Sequence, residues 1–272
     1  MAPEQGQQHP GGDHTLVFVG GLHRSGTTLV SRLLGRHPQV SGFQGTGAKE
    51  DEGQHLQSVY QPANVLGGEG RFGFQPGAHL VEAPPERARP EAATLFGQWS
   101  RHWDLGRPVL VEKSPPNLVR MRYLQSLFPH ARFVVIMRHP VEVALASRKR
   151  VRSATLWPLL RHWFVCHDIF AADAPAITRL LVLRYEDLVA EPQRTLDGLL
   201  GFVGLSPSPE AAAADVNAAA SARYQQRWNQ LSTGLATRPV AGVLVRRFEA
   251  DAQRYGYSMR DLSVASPWSL GV

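Results

Sequence analysis

Short, uninterrupted apolar runs recur along the chain and are separated by longer stretches of mixed character. The clearest runs are LVFV at 16–19, VLV at 109–111, FVVIM at 133–137 and LLVL at 180–183. Runs of this length without polar alternation are typical of strands that are buried on both faces of a parallel sheet. The run VSGF at 40–43 is compatible with a further strand of the same sheet.

The stretches between these runs predict helices and loops. Helices are expected at about 27–36, 54–60, 116–128, 141–150, 157–171, 192–203 and 240–254. Residues 45–53 read as a loop, and residues 64–90, which hold five Gly and four Pro, read as a long irregular excursion. Loops of that length in compact domains are often lids or substrate walls.

Strands that alternate with helices predict an α/β fold, in which a central, mainly parallel sheet is flanked by helices in three layers. We expect a single domain at 15–258. A flexible tail is expected before it at 1–14, and a C-terminal tail after it at 259–272.

Polar residues with chemical potential come directly after the predicted strands. Arg24 to Thr28 follow the first strand, and Lys113 with Ser114, Arg138 and Tyr185 follow later strands. Ligands of parallel sheets bind beyond the carboxyl ends of the strands. We therefore expect these residues to form one site.

The segment GGLHRSGTT at 20–28 has the outline of a phosphate-binding loop. Gly21 and Gly26 have the spacing of G-x-x-x-x-G-K-[ST], but Thr27 stands where that motif has lysine. In ATPases and GTPases the lysine reaches the β- and γ-phosphates. The glycines and the following helix predict an anion bound by backbone N–H groups, while the missing lysine argues against a nucleotide kinase or NTPase.

The charge balance narrows the class of ligand. The chain has 272 residues, a net charge of +6 and a pI of about 9.9, and 26 of its 29 basic residues are arginine. Arginine pairs with phosphate and sulfate oxygens, so the surplus favours anionic ligands, although a genome that prefers arginine to lysine explains the bias equally well. The arginines are dispersed without interleaved aromatic residues, so we expect no nucleic-acid partner.

Other compositional features exclude several classes of protein. No apolar run approaches the roughly 20 residues that span a bilayer, and the first 14 residues have no apolar signal core. The single cysteine, Cys166, leaves no internal disulfide and suits a reducing compartment. We therefore expect a cytoplasmic protein with no membrane partner. The histidines lack neighbours at ligand spacing, so we expect no metal; the sequence leaves the oligomeric state open.

The pattern G-x-x-R-S-G-T-T at 21–28, followed by an apolar helix and His-Pro, resembles a known phosphosulfate loop. It is the loop of sulfotransferases that use 3′-phosphoadenosine 5′-phosphosulfate (PAPS), and the likeness is greatest to the tyrosylprotein and carbohydrate branches and their bacterial relatives. The resemblance implies that Arg24, Ser25, Gly26, Thr27 and Thr28 bind the 5′-phosphosulfate. PAPS has no γ-phosphate, which accounts for the missing lysine.

A second segment resembles the 3′-phosphate element of the same family. FVVIMRHPVEVALAS at 133–147 implies that Arg138 and Ser147 bind the 3′-phosphate. The family usually places the serine eight residues after the arginine, where this chain has Ala146.

Two further segments follow in the order of the family. VLRYEDL at 182–188 resembles the segment whose tyrosine, here Tyr185, lies near the adenine. ARYQQRW at 222–228 stands where the family has a basic-aromatic segment that closes over the nucleotide. That position implies nucleotide contacts from Arg223, Arg227 or Trp228.

Sulfuryl transfer needs positively charged side chains beside the transferring group and a general base beside the acceptor hydroxyl. Arg24 and Lys113 are the candidates for the charge, and Lys113 matches a family lysine at a strand end. The relatives place a glutamate or a histidine as base after the second strand. Glu52 is our first candidate there, followed by His55 and Glu50.

The sequence therefore predicts a PAPS-dependent sulfotransferase, with PAP (3′-phosphoadenosine 5′-phosphate) as the nucleotide product. The expected acceptor is a hydroxyl of a small molecule, a carbohydrate or a natural product. Two alternatives stay open at this point: a P-loop nucleotide kinase or NTPase, and a PAP-binding scaffold without catalysis.

Overall fold

The computed structural model describes residues 11–151, 154–213, 216, 219–266 and 268. Its centre is a sheet of five parallel strands in the order β2-β3-β1-β4-β5. The strands are β1 (Thr15–Gly21), β2 (Val40–Gly42), β3 (Val109–Lys113), β4 (Arg132–Met137) and β5 (Leu180–Arg184). Each predicted strand is confirmed, including the short run at 40–43, which forms an edge of the sheet.

Alternate residues of each strand pack against two separate apolar layers. In β1, Leu16 and Phe18 join the core on one face, while Val17 and Val19 join the core on the other. Because both faces are covered, the strands carry apolar residues at nearly every position. The predicted α/β fold with three layers is confirmed.

The helices divide between the two faces of the sheet. On one face lie α1 (Thr27–Gly35), α6 (Tyr185–Ala190) and α7 (Pro192–Val203). The core of the other face is built with α2 (Pro85–Trp99), α3 (Met121–Leu127), α4 (Pro140–Arg148), α5 (Leu156–Asp173), α8 (Ala219–Thr233) and α9 (Arg238–Arg254).

Three predicted elements differ from the structure. The helix predicted at 54–60 is wrong, since this segment holds a 3₁₀ turn at Gly53–His55 and then irregular backbone. The helix predicted at 116–128 is interrupted at Arg120, between a 3₁₀ turn at Pro115–Val119 and α3. The irregular excursion ends earlier than predicted, because α2 begins at Pro85.

Residues 257–265 lie against this fold. Met259 and Leu262 are buried in the core, and Tyr257 pairs with Ala265 in an antiparallel bridge. The domain limits at 15 and 258 stay predictions. None of the helices in the described part of the chain has an apolar stretch long enough to cross a bilayer.

Candidate functional site

The carboxyl ends of the central strands open onto one polar cavity of about 50 Å³. Because all the strands are parallel, the segments that follow β1 and β3 come out at the same edge of the sheet. Six of the residues predicted for the site line this cavity: Arg24, Thr27, Thr28, Glu50, Glu52 and His55.

The loop after β1 has the backbone geometry of an anion cradle. Gly26 has φ 110° and precedes α1, whose first turn carries no side-chain cap. The first N–H groups of a helix have no partner within the helix, and they point towards whatever lies before it. The Ser25 hydroxyl is buried and has no hydrogen-bond partner among the described residues. The residues present therefore fit a bound phosphate or sulfate group.

Tyr185 and Ile136 leave little space for a side chain at position 26, which also favours glycine there. A Cβ at this position would lie 2.9 Å from Cδ2 of Tyr185 and 3.1 Å from Cδ1 of Ile136. The loop can therefore lie directly against the aromatic ring at the end of β5. This contact brings the predicted phosphosulfate loop and the predicted adenine-binding tyrosine together.

Arg24 is held by a carboxylate from the long excursion. Its Nε and Nη2 atoms donate to the two oxygens of Glu69 at 3.1 and 3.2 Å. The backbone of Arg24 has φ 71°, a conformation that few residues other than glycine adopt. Glu69 lies 45 residues away in sequence and also lines the cavity. The sequence analysis did not identify this residue.

The Glu52 carboxyl forms a buried contact with Lys113 at the end of β3. Lys113 Nζ lies 3.4 Å from Glu52 Oε1 and donates to the backbone carbonyl of Glu50 at 2.8 Å. The Glu52 residue is 4% exposed. Burial raises the pKa of Glu52, while the positive charge of Lys113 acts in the opposite direction.

His55 lies on the other side of the same carboxyl, with Nε2 3.8 Å from Glu52 Oε2. Burial lowers the pKa of His55, and the charges of Lys49 and Lys113 lower it further. His55 is therefore an uncharged neighbour of Glu52 near neutral pH. The side chain of Glu50 is exposed, so its main contact with the site is the carbonyl that Lys113 binds.

A fully buried carboxyl, Glu112, supports the loop that carries Glu52. Glu112 accepts hydrogen bonds from Ser114 Oγ at 2.6 Å and Asn117 Nδ2 at 2.5 Å. Ser114 Oγ in turn accepts from the backbone N–H of Gln54 at 2.9 Å. Burial raises the pKa of Glu112 to about 7. The sequence analysis passed over Glu112, although the adjacent Lys113 and Ser114 were predicted.

Arg138 and Tyr185 meet beside the loop that follows β1. The Arg138 guanidinium lies 4.0 Å from the centre of the Tyr185 ring and 5.5 Å from that of Tyr224. Arg138 Nη1 donates to the carbonyl of Arg24 at 3.2 Å, which joins this cluster to the loop. Glu142 Oε2 accepts from Arg138 Nε at 2.9 Å and Nη2 at 2.6 Å.

Two residues predicted for the nucleotide site do not line the cavity at Arg24. Ser147 is buried and lines a second small cavity with His23 and His162, and its predicted contact with the 3′-phosphate stays a prediction. Trp228 is 2% exposed, and its indole donates to the carbonyl of Met259 at 2.9 Å. The ring also lines a cavity of about 510 Å³ together with Arg227, and its predicted nucleotide contact stays a prediction.

Arg223 and Arg227 are exposed on α8 and line a groove of about 460 Å³ with Arg148, Lys149 and Tyr224. Tyr224 also packs against Arg138, so this basic groove adjoins the Arg138 cluster. The placement is compatible with the predicted nucleotide contacts.

His23 is a further residue of the cavity that the sequence analysis did not propose. Its ring lies in the phosphosulfate loop beside Arg24 and packs edge-on against Phe72. Burial, with nearby positive charge, lowers the pKa of His23 to about 3. No three His, Cys, Asp or Glu side chains of the described residues gather as a metal site, and the expectation of a metal-free reaction stays a prediction.

Comparison with known proteins places this site in context. The model of the "Sulfotransferase family" matches residues 17–209. Protein-tyrosine sulfotransferase 2 of Gallus gallus is 24% identical over 201 residues, which cover 70% of this chain and 51% of that protein. Protein-tyrosine sulfotransferase 1 of Danio rerio is 24% identical over 202 residues, 71% of this chain and 54% of that protein. The chain spans about half the length of these curated relatives.

Solved structures with a similar fold include two bacterial proteins. Sulfotransferase STF1 from Mycobacterium tuberculosis H37Rv is 18% identical with a TM-score of 0.48, and the match covers 80% of this chain and 77% of that one. The sulfotransferase domain of the olefin synthase of Synechococcus PCC 7002 is 21% identical with a TM-score of 0.46. That match covers 75% of this chain and 80% of the other.

Proposed function

Because the chain belongs to the sulfotransferase family, we propose that it transfers a sulfuryl group from PAPS to an acceptor hydroxyl. One observation carries the proposal: a single cavity is lined by the phosphate-type loop, through Arg24, Thr27 and Thr28, and by the Glu52 carboxyl. A donor anion and a base are the two components that the reaction requires.

The loop and the Arg138 cluster together suit the two ends of the nucleotide. When bound, PAPS supplies a sulfuryl group on its 5′-phosphate. Arg24, Ser25, Gly26, Thr27 and Thr28 would hold the 5′ end. Arg138 would hold the 3′-phosphate, and Tyr185 would contact the adenine.

Glu52 would accept the proton of the acceptor hydroxyl. Its burial supports this role, because a raised pKa brings a carboxyl nearer to the pH at which a general base works best. Lys113 and Arg24 would place positive charge where the leaving phosphate gains negative charge. Their positions at the end of β3 and in the loop after β1 put both charges at the carboxyl edge of the sheet.

The lining of the cavity supports a polar acceptor. Besides the imidazoles of His23 and His55, its described residues contribute no aromatic ring, whereas Asn64, Glu50 and Glu69 offer polar groups. We therefore favour a polyhydroxylated compound, such as a carbohydrate, as the acceptor. A tyrosine hydroxyl is the second candidate, because the two vertebrate relatives are named for protein tyrosine.

A buried base beside a lysine argues against the scaffold alternative. A carboxylate loses hydration when it is buried and repels an anionic nucleotide, so a pocket that only holds a nucleotide has no use for Glu52. The kinase alternative lacks the lysine that would hold a γ-phosphate, since Thr27 occupies its position.

Thermal unfolding with added nucleotides tests the proposed donor site. A ligand at 100 times its dissociation constant adds about 2.7 kcal/mol, which raises the midpoint of a chain of this size by roughly 5–10 °C. We expect PAP to raise the midpoint without Mg²⁺ and to do so more than ATP or GTP. A rise that requires ATP or GTP with Mg²⁺, and none with PAP, would favour the kinase instead.

A further inference from the structure

The cavity of about 510 Å³ is an apolar groove between the start of α5 and the helices α8 and α9. Its apolar side chains include Leu156, Trp157, Trp228, Leu231, Val240 and Leu244. The apolar groove shares none of its described lining residues with the cavity at Arg24. An inference about it therefore does not depend on the proposed function.

The apolar groove is a recess with a buried floor. Trp228 is 2% exposed and Leu244 is 3% exposed, and they belong to the floor. Trp157 is 41% exposed and Val240 is 63% exposed, and they belong to the rim. A recess of this volume suits a small molecule, because sites for such ligands have roughly 300–1,000 Å³ and mostly apolar walls.

Two arginines mark the polar end of the apolar groove. Arg148 and Arg227 line it and also line the basic groove, and they are the two described residues that the grooves share. Lys149 and Arg223 add positive charge in the basic groove. No Asp or Glu is among the described residues that line either groove. An anionic group at this junction is therefore attracted by guanidinium groups and meets no carboxylate.

We propose that the apolar groove binds a small amphipathic anion, an aliphatic chain that ends in an anionic head group such as a carboxylate. The chain would lie between the Trp157 and Val240 rim and the Trp228 floor, and the head group would bind Arg148 and Arg227. Burial of the chain supplies affinity, about in proportion to the apolar area that leaves water. The arginines select the charged end, because a guanidinium binds both oxygens of a carboxylate.

One of these arginines has a contact that a head group can replace. Arg227 Nη1 donates to Oε1 of Gln230 at 3.3 Å. The amide oxygen is neutral, and hydrogen bonds between a guanidinium and an anion are roughly twice as strong as those between neutral groups. Binding of the anion therefore does not have to break an ion pair of Arg227.

Tryptophan fluorescence with decanoate tests the proposal, because a chain in the groove would cover the Trp157 ring. We expect a saturable shift of the emission to shorter wavelength, below the concentration at which decanoate forms micelles. Octanoate has two methylene groups fewer and should bind roughly tenfold more weakly. 1-Octanol has the chain of octanoate without most of its polarity and without its charge, so it reports on the apolar contact alone.

Two variants separate the apolar contact from the charge. Arg148→Gln should weaken octanoate about threefold to tenfold and leave 1-octanol unchanged. Val240→Asp puts a negative charge on the rim in the first turn of α9, where the helix favours an acidic residue. It should weaken decanoate more than tenfold and leave PAP affinity unchanged. Arg194→Gln, exposed on α7 at the other face of the sheet, is the control for the loss of one positive charge and should change neither ligand.

Four results would overturn the proposal. They are no saturable binding of decanoate, equal binding of decanoate and octanoate, equal binding of decanoate by Val240→Asp and wild type, and an equal effect of Arg148→Gln on octanoate and 1-octanol. A loss of PAP affinity in Val240→Asp as large as the loss for decanoate would assign the groove to the nucleotide instead. A wild-type dimer that Val240→Asp dissociates would assign it to a second copy of the chain, which also overturns the proposal. Circular dichroism spectra show whether each variant retains its helices.

Discussion

The Glu52 carboxyl lies between a cation and two polar side chains, and each neighbour affects what it can do. Lys113 lies 3.4 Å from one oxygen, while Gln54 Nε2 donates to the other at 2.5 Å. His55, whose pKa is lowered by burial, adds a neutral ring. Both oxygens therefore have polar neighbours, which hold the carboxyl in place in the wall of the cavity.

Replacing Glu52 with glutamine should remove the base and retain the shape of the site. We expect kcat for sulfuryl transfer from PAPS to fall by about 10²- to 10⁴-fold, the usual contribution of a positioned base. PAP affinity should be unchanged, because the proton that Glu52 would accept comes from the acceptor and not from the nucleotide. Radiolabelled PAPS with a panel of hydroxyl acceptors provides the measurement.

The matched variants are His55→Ala and Glu50→Gln, for which we expect smaller losses of kcat. A loss for His55→Ala as large as that for Glu52→Gln would transfer the role of base to the histidine. In the wild-type enzyme, kcat/KM should fall as the pH decreases through the raised pKa of Glu52, because only the deprotonated carboxylate accepts a proton. This acid limb should disappear in Glu52→Gln.

The short 3₁₀ turn Gly53–His55 depends on close packing against β3. A Cβ at Gly53 would overlap the Glu112 carboxyl, and that carboxyl cannot easily move because Ser114 and Asn117 hold both of its oxygens. Trp99 Nε1 also donates to the carbonyl of Gly53 at 3.0 Å. The turn is therefore fixed from two sides.

Gly53→Ala should destabilise the protein by about 1–3 kcal/mol, as overpacking of a core does. Gly97→Ala in α2 is the matched control, since no atom lies within 4 Å of a Cβ there. Alanine at that position should stabilise by roughly 0.5–1 kcal/mol, because glycine is a poor helix former. Urea unfolding measures both changes. Equal stability of Gly53→Ala and wild type would show that the Glu112 contact is loose.

Elements with a strong apolar signal were predicted, and elements shaped by hydrogen bonds between side chains and backbone were not. The buried strands could be predicted from apolar runs such as 133–137. The segment 54–60 has helix-like composition, yet the side chain of Gln57 binds the N–H groups of Val59 and Tyr60, which a helix would need for its own hydrogen bonds. The break at Arg120 has a similar cause, since that buried side chain donates to Ala78 and Gln61.

The candidate site follows the same division. Its residues at strand ends could be predicted, because parallel topology brings strand ends together whatever the loops do. Glu69 could not, because it reaches Arg24 from a segment whose path depends on tertiary packing.

Four histidines are buried in the folded protein in their neutral form. Burial lowers the pKa of His139 to about 4, and it lowers the pKa values of His23, His162 and His167 to about 3. In the unfolded chain each would bind a proton near pH 6.5. Between these values the unfolded state binds more protons than the folded state, so the free energy of unfolding falls as the pH falls.

With respect to these histidines, the free energy of unfolding should be highest above about pH 6.5 and should fall as the pH decreases towards about 3. For His162→Gln we expect a shallower dependence, by about 1.4 kcal/mol per pH unit, because one proton fewer is taken up on unfolding. Urea unfolding at a series of pH values between 4.5 and 7 decides, and identical slopes for His162→Gln and wild type would refute the expectation.

Arg24, in the loop after β1, and Glu69, in the excursion at 64–90, form an ion pair across the cavity. We expect this ion pair to determine the order in which donor and acceptor bind. The Arg24 guanidinium, which would meet the donor, is held by the Glu69 carboxylate. Glu69 lies in the excursion at 64–90, and we call this side of the cavity the acceptor wall. A donor phosphate that competes for Arg24 releases Glu69, so the acceptor wall should become free only after the nucleotide has entered. We expect compulsory order with PAPS first, seen as PAP inhibition that is competitive against PAPS and noncompetitive against the acceptor. Glu69→Gln should make the order of addition random.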